Sequence, residues 1–485
     1  MGLDPIATLD RLVGDAIETA NHSHHRRRLT RLGHGDSIEP PDDGVLWAAG
    51  ESPPRAGNEL EVLVDGAEML PAVADAIQRA RRHVHVAGWH LTPSFALTRD
   101  ERPLVLRELL AETAERIPVR VLLWAGSPAK VFKPTRGLVR QERDALITGT
   151  RINAELDARE RTIHCHHEKL VVIDDEVAFV GGIDMTSLAG DRWDTSRHLA
   201  RGGLGWHDAS TRLRGPAVAD VADHFASRWR EIAGEDVAPS SPSPPPDAGS
   251  HEVQVVRTVP ERVYRFVPRG DFRIVETYMR ALRSAQHLVY LENQFLWAPE
   301  VVSILADKLR NPPSDDFRVV VMLPSKANNG QDDTRGQLAA LVEADDDAHR
   351  FLATTITALT GTTTDRIYVH AKVGIVDDRW LTVGSANLNA HSFFNDTEMN
   401  VVTCDRDLAR RTRLRLWAEH LERDAGDIDR DPTAVIDELW RPVAKDQRER
   451  QEGGAPRTHR LLELPGLSRR SRRLLGPLDA LVVDA

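Results

Sequence analysis

The chain has 485 residues, a formal net charge of -11, 41% hydrophobic and 28% charged residues. That length holds two or three ordinary domains with full cores, and the acidic balance disfavours a protein that grips long nucleic acid through a basic face. Cys165 and Cys404 are the only cysteines, too few for a disulfide framework.

Residues 1–56 read as an N-terminal appendage. Its candidate amphipathic helix carries Ile6, Leu9, Val13 and Ile17, and a His/Arg tract, His22 to Arg28, follows and is expected to be solvated. The start lacks a basic segment followed by an apolar core, so it does not read as a secretory signal. No apolar run approaches the roughly 18 residues of a membrane span. The expectation is a cytoplasmic protein, with peripheral membrane contact left open.

Residues 57–237 form the first of two similar halves. Gly66 to Arg82 has helical apolar spacing at Met69, Val73, Ile77 and Ala80. Strand-like runs follow at His83 to Trp89 and Val119 to Trp124. Then comes a chemical phrase: His167-Glu168-Lys169, four residues, Asp174, six residues, Gly181-Gly182-Ile183-Asp184. Residues 238–252 are rich in proline and serine and read as an exposed linker.

Residues 253–430 repeat the order. A helix is expected over Ile274 to Ala285 and strands over His287 to Leu291 and Arg318 to Leu323. The phrase returns as His370-Ala371-Lys372, four residues, Asp377, six residues, Gly384-Ser385-Ala386-Asn387. Residues 431–485 form a polar tail with a basic run, Ser468 to Arg473. Both ends are expected to pack on the core. The alternation predicts an α/β fold: two similar halves, each a mixed sheet flanked by helices, packed with pseudo-twofold symmetry.

On a strand, the His and Lys of each phrase would point the same way. Two converging halves would then offer two imidazoles and two ammonium groups to one phosphodiester. One neutral histidine attacks phosphorus and the other, protonated, serves the leaving alcohol; histidine suits both roles because its ordinary pKa is about 6.5. The catalytic candidates are His167, Lys169, Asp174, His370, Lys372 and Asp377, with Asp184, Asn387 and Ser385 as phosphate-binding support. Asp194 and Glu398, 27 and 28 residues after the two histidines, are matching candidates for the imidazole partners. Asp174 and Asp377 also suit a structural role, bonding backbone amides at strand-to-turn positions. The chain has seven lysines against 56 arginines, yet keeps one in each phrase, where a compact point charge differs from a planar fork. The run His164-Cys165-His166-His167 does not read as a metal site, because a strand splits it between two faces and no second Cys/His cluster completes a zinc set.

These blocks resemble the phospholipase D superfamily, closest to its eukaryotic-type members. The resemblance rests on His166 to Asp174, Ala178 to Asp184, Arg192-Trp193-Asp194, Trp206-His207-Asp208, Arg214 to Val218, Tyr290 to Phe295, Val369 to Lys372 and Gly384 to Asn389. It implies a bilobal α/β fold, a phosphohistidine on His167, His370 as acid/base, and no metal or other cofactor in the chemistry. The first phrase ends Gly-Gly-x-Asp rather than Gly-Ser-x-Asn, which leaves the role of Asp184 open. The expected substrate is a phospholipid, with water or an alcohol as acceptor and the chain acting as a monomer; cardiolipin-type phosphatidyl transfer and nucleic-acid hydrolysis are the alternatives, the last disfavoured by the net charge. Trp89, Leu91, Phe95, Phe295, Leu296 and Trp297 are candidates for the cleft mouth, or else core.

Overall fold

The computed structural model describes residues 21–129, 132–161, 164–239, 243–325 and 331–464. The candidate helix at residues 6–17 and the basic run at 468–473 lie outside them. Eight strands come from the first half: β1 (Arg55–Val64), β2 (Val84–Gly88), β3 (Val119–Trp124), β4 (Asn153–Asp157), β5 (Leu170–Ile173), β6 (Val177–Gly181), β7 (Gly205–His207) and β8 (Ala209–Arg214). Ten follow: β9 (His251–Val259), β10 (Asp271–Phe272), β11 (Leu288–Glu292), β12 (Arg318–Met322), β13 (Phe351–Thr360), β14 (Thr363–Val369), β15 (Val373–Val376), β16 (Trp380–Gly384), β17 (Glu398–Thr403) and β18 (Leu461–Glu463).

Two ladders share one plan. The first runs β1-β8-β6-β5-β2-β3-β4 and the second β9-β17-β16-β15-β11-β12-β13. In each, the first four contacts are antiparallel and the last two parallel. Register makes the equivalence residue by residue: Leu170 faces Val180 as Val373 faces Val383, and Gly181 faces Ser210 as Gly384 faces Asn400. The ladders join where β1 pairs with β9 and where β7 pairs with β14.

The strands are apolar on both faces because both faces are covered. Leu170, Val172, Ala178 and Val180 point into a core shared with Tyr290, Val320, Val373 and Val383 of the other ladder. Helices Val218–Ala233 and Arg406–Leu421 contribute Phe225, Trp229, Leu416 and Trp417 to it. Val171, Ile173 and Phe179 point the other way, onto helix Gly66–Arg79 through Met69, Val73 and Ile77. Each such side chain contributes about 1.5–3 kcal/mol by leaving water. The residues of the predicted cleft mouth are buried at 5% exposure or less, so most are core; Trp89 is the exception in position, its ring meeting His167 edge-on at 6.4 Å.

Two expectations need correction. The His/Arg tract is solvated on one face only: residues 21–32 are helical, His24, Arg26 and Arg27 are exposed, but His25 Nδ1 meets the buried Glu300 at 3.0 Å and Arg28 pairs with Glu261. A buried carboxylate needs a cation or donor, and this tract supplies it. The His-x-Lys pairs also do not lie on strands. They sit in the extended segments just before β5 and β15.

Candidate functional site

Asp174 and Asp377 set the far end of each motif strand. Both adopt left-handed backbone, φ 57° and 51°. The Asp174 carboxylate accepts from the backbone amides of Arg81, Arg82 and His83 at 2.7–2.9 Å. Asp377 accepts from Gln286, His287 and Leu288 at 2.7–2.8 Å. These carboxylates are consumed by backbone one strand length, about 16 Å, from the motif lysines, which removes them from the chemistry. The motif glycines serve the near end. A Cβ on Gly181 would lie 2.4 Å from Ser210 Cα, and one on Gly384 would lie 2.5 Å from Asn400 Cα. Only glycine lets the motif turn approach the neighbouring strand so closely.

That neighbour carries the partner of the opposite histidine. His167 Nδ1 lies 3.0 Å from Glu398 Oε1 and 3.2 Å from Oε2, and His370 Nδ1 lies 2.6 Å from Asp208 Oδ2. Each bond crosses between the halves. The backbone crosses with it: His167 N and Glu168 N donate to Thr397 O, while His370 N and Ala371 N donate to His207 O. Asp208 and Glu398 are equivalent by register, each two residues before the residue that faces the motif glycine.

The predicted partnership of Asp194 with His167 is therefore wrong, and Glu398 serves the other histidine from the one paired with it by spacing. Asp194 instead accepts from the amides of Thr195 and Trp206 at 2.8 and 3.0 Å and pairs with Arg201. Counting along the chain failed because Asp208 lies 27 residues after Gly181, whereas Glu398 lies 14 after Gly384. The register of β6 on β8 holds the signal that sequence spacing lacks. Asp208 was within a quoted block, but nothing in that block marked it as an imidazole partner.

The lysines curl back on their own motifs. Lys169 Nζ donates to His167 O at 2.6 Å and meets Asp184 Oδ2 at 3.2 Å; Lys372 Nζ donates to His370 O and lies 3.4 Å from Gln294 Oε1. Ser385 does not face a phosphate: its hydroxyl donates to Glu398, as does Ser392 Oγ at 2.6 Å. Asn387, equivalent to Asp184, is fully buried. Arg192 is a third cation that the motif search missed. It is buried over the Trp206 ring, and its Nε and Nη1 have no hydrogen-bond partner among the described residues.

Burial pushes Glu398 up to about 8 and Asp208 up to about 7. A neutral His167 that donates its Nδ1–H to the Glu398 carboxylate has a free lone pair on Nε2. Burial, together with the Lys372, Arg192 and Lys169 cations and His167, holds His370 well below the ordinary histidine value. Burial also lowers Arg192 to about 10, against the pull of Asp184 and Asp208. The centre is electropositive, desolvated and preorganised, the condition under which fixed charges act most strongly on a phosphoryl group.

Residues 76–205 match the family model described as phospholipase D, and residues 278–418 match the one described as cardiolipin synthase, PLD-like domain. Phospholipase D A of Dictyostelium discoideum is 25% identical over 466 residues, covering 76% of this chain and 36% of that protein. Phospholipase D alpha 1 of Nicotiana tabacum is 24% identical over 512 residues, covering 72% of this chain and 63% of that protein. The chain thus spans from about a third to under two thirds of the curated relatives it matches. The crystal structure of phosphatidylserine synthase from Haemophilus influenzae shares the fold, with a TM-score of 0.54 over 82% of this chain and 96% of that one at 14% identity. Two matched halves, two His-x-Lys motifs and a shared bilobal fold place the chain in the phospholipase D superfamily.

Proposed function

We propose that this chain is a phosphodiesterase of the phospholipase D type that hydrolyses or transphosphatidylates phospholipid head groups through a covalent phosphohistidine. The observation that carries the reading is the crossed arrangement, in which each motif histidine is aimed by a buried carboxylate of the other half. His167 Nε2 attacks phosphorus, the bond from phosphorus to the head-group oxygen breaks, and His370 gives that oxygen its proton. Water, or an alcohol, then attacks phosphorus, His370 takes the acceptor's proton, and the nitrogen–phosphorus bond breaks. Lys169, Lys372 and Arg192 hold the equatorial charge. An entering phosphodiester anion also offsets the cations that keep His370 neutral, which readies it to carry the proton.

The relatives named phospholipase D support a phospholipid as substrate. No helix among the described residues is long and apolar enough to cross a membrane. In the same proposal the chain meets lipid at a surface, peripherally, from the cytoplasm and as a monomer. Phosphatidyl transfer to a lipid alcohol uses the same two steps with another acceptor, and the family model matched by the second half keeps it as the alternative. The test is incubation of the purified chain with phosphatidylcholine vesicles and ethanol, and separately with single-stranded DNA. Phosphatidylethanol is the expected product; DNA cleavage without lipid turnover would sink the lipid assignment.

A further inference from the structure

Behind Asp208 lies a second cluster that the reaction does not use. Asp65, His198, His207 and Glu419 bring one ligand atom each to within 4.8 Å of all the others. His198 Nε2 is 3.0 Å from Glu419 Oε1 and 3.5 Å from Asp65 Oδ2; His207 Nδ1 is 3.2 Å from Asp65 Oδ1 and 3.3 Å from Glu419 Oε1. Ligand atoms held at about 2.0–2.1 Å around a tetrahedral ion are about 3.3 Å apart. The four contacts, at 3.0–3.5 Å with both Asp65 oxygens taking part, lie close to that separation.

One of the histidines is also braced for it. A metal-bound imidazole presents its other nitrogen to a carboxylate, which fixes the tautomer and the ring. His207 is braced in this way, its Nε2 on Glu292 Oε2 at 2.9 Å; His198 Nδ1 lies 3.5 Å from Asp194 Oδ1 and completes no hydrogen bond among the described residues. Asp65 and His207 are both at 1% exposure or less, yet His207 Nδ1 and Asp65 Oδ2 complete no hydrogen bond among the described residues. Leaving such atoms unmatched costs about 1–3 kcal/mol each. Their neighbours lie at ion-pair distance without hydrogen-bond geometry. Two carboxylates match the charge of one divalent cation.

We propose that Asp65, His198, His207 and Glu419 form a closed structural site for a divalent transition metal of the zinc class. Two imidazoles and two carboxylates at tetrahedral spacing suit that ion. Four side chains supply a full tetrahedral set, so the role is positional. Asp65 N donates to Asp208 O at 2.8 Å, and Asp208 N donates to Asp65 Oδ1 at 3.1 Å. An ion there ties the end of β1, the connection between β6 and β7, β7 itself and helix Arg406–Leu421 into one knot beside the carboxylate that aims His370. At the equivalent position of the other half, Thr397 stands in place of His207, with its hydroxyl 2.9 Å from His166 Nδ1.

The test uses the full chain, purified with its tag removed and without chelator. Elemental analysis should find about one equivalent of divalent metal per chain. A strong chelator should lower the melting temperature by several degrees, and zinc should restore it. Cobalt(II) in the stripped protein should give the visible bands of a tetrahedral site without thiolate charge transfer. Asp65→Asn and Glu419→Gln, near-isosteric, should bind no metal and show no cobalt bands. A chain that is metal-free as purified, and gains neither stability from zinc nor a cobalt spectrum, overturns the site. So does full metal retention in both variants. If either variant fails to fold, the chelation and cobalt measurements on the unmodified chain decide alone. None of these readouts depends on lipid turnover.

Discussion

His167 and His370 sit on superimposable backbone and differ in what surrounds them. Glu398, behind His167, takes hydroxyl donors from Ser385 and Ser392, whereas Asp208, behind His370, takes the amide of Ala209. Lys169 faces the Asp184 carboxylate; Lys372 faces the Gln294 amide oxygen. The residue between His and Lys differs too: Glu168 is fully buried against His224 and Arg228, while Ala371 simply fills the core. The duplication supplied two equal clamps, and these substitutions split them into a charge-neutralised side and a more cationic side. A nucleophile and a proton carrier need different surroundings, and only such a split allows one histidine each.

The largest effects should come from the histidines. His167→Ala and His370→Ala should each lower kcat on phosphatidylcholine by about a thousandfold or more, within the range lost when a nucleophile or a general acid is removed. A phosphodiester with a nitrophenolate leaving group separates the two, because that group departs without a proton. His370→Ala should then release a burst of nitrophenolate and stall, while His167→Ala should release none. The reverse pattern would exchange the roles; equal turnover by either mutant and the parent would end the two-histidine mechanism.

Much of this was legible in the chain. The repeat, the α/β alternation and strands such as Val119 to Trp124 follow from apolar patterning, and the motif spacing marked His167, Lys169, His370 and Lys372. The crossing of the halves was not legible. Glu398 lies closer in sequence to His370, and nothing local says that Thr397 receives the amide of His167 rather than a neighbour of its own half. Strand register is a property of the folded sheet, and the longer connection in the first half, 27 residues from Gly181 to Asp208 against 14 from Gly384 to Glu398, hid the one spacing that would have marked Asp208. Arg192 was lost for a different reason: one arginine among 56 carries no signal until burial singles it out.

Glu398→Gln should act more mildly. It exchanges a charge-assisted hydrogen bond for a neutral one as positive charge develops on His167, a loss of about 1–2 kcal/mol, or roughly a 5- to 30-fold drop in kcat. Stability gives a second readout. Burial raises Glu398 from an ordinary 4.5 to about 8, so the folded chain holds this proton more tightly than the unfolded one. The stabilisation is complete below pH 4.5 and is lost as pH rises through 8. Melting temperatures of the parent and Glu398→Gln, measured from pH 5 to 9, should therefore diverge, with the parent declining more steeply. Parallel curves would mean that the carboxyl is already ionised in the folded chain.

The smallest effect on chemistry belongs to the motif aspartates, and it tests whether the far ends of the two motifs are as alike as their bonds. Each accepts three backbone amides, and each holds left-handed backbone that alanine tolerates poorly. Asp174→Ala and Asp377→Ala should each cost about 1–3 kcal/mol in urea unfolding, while kcat of the folded fraction stays within about threefold, the margin for a change that leaves the site in place. If either variant lost activity a hundredfold at unchanged stability, that aspartate would belong to the reaction after all. A loss confined to one of the two would show that the duplication is broken at its structural end as well as at its chemical one.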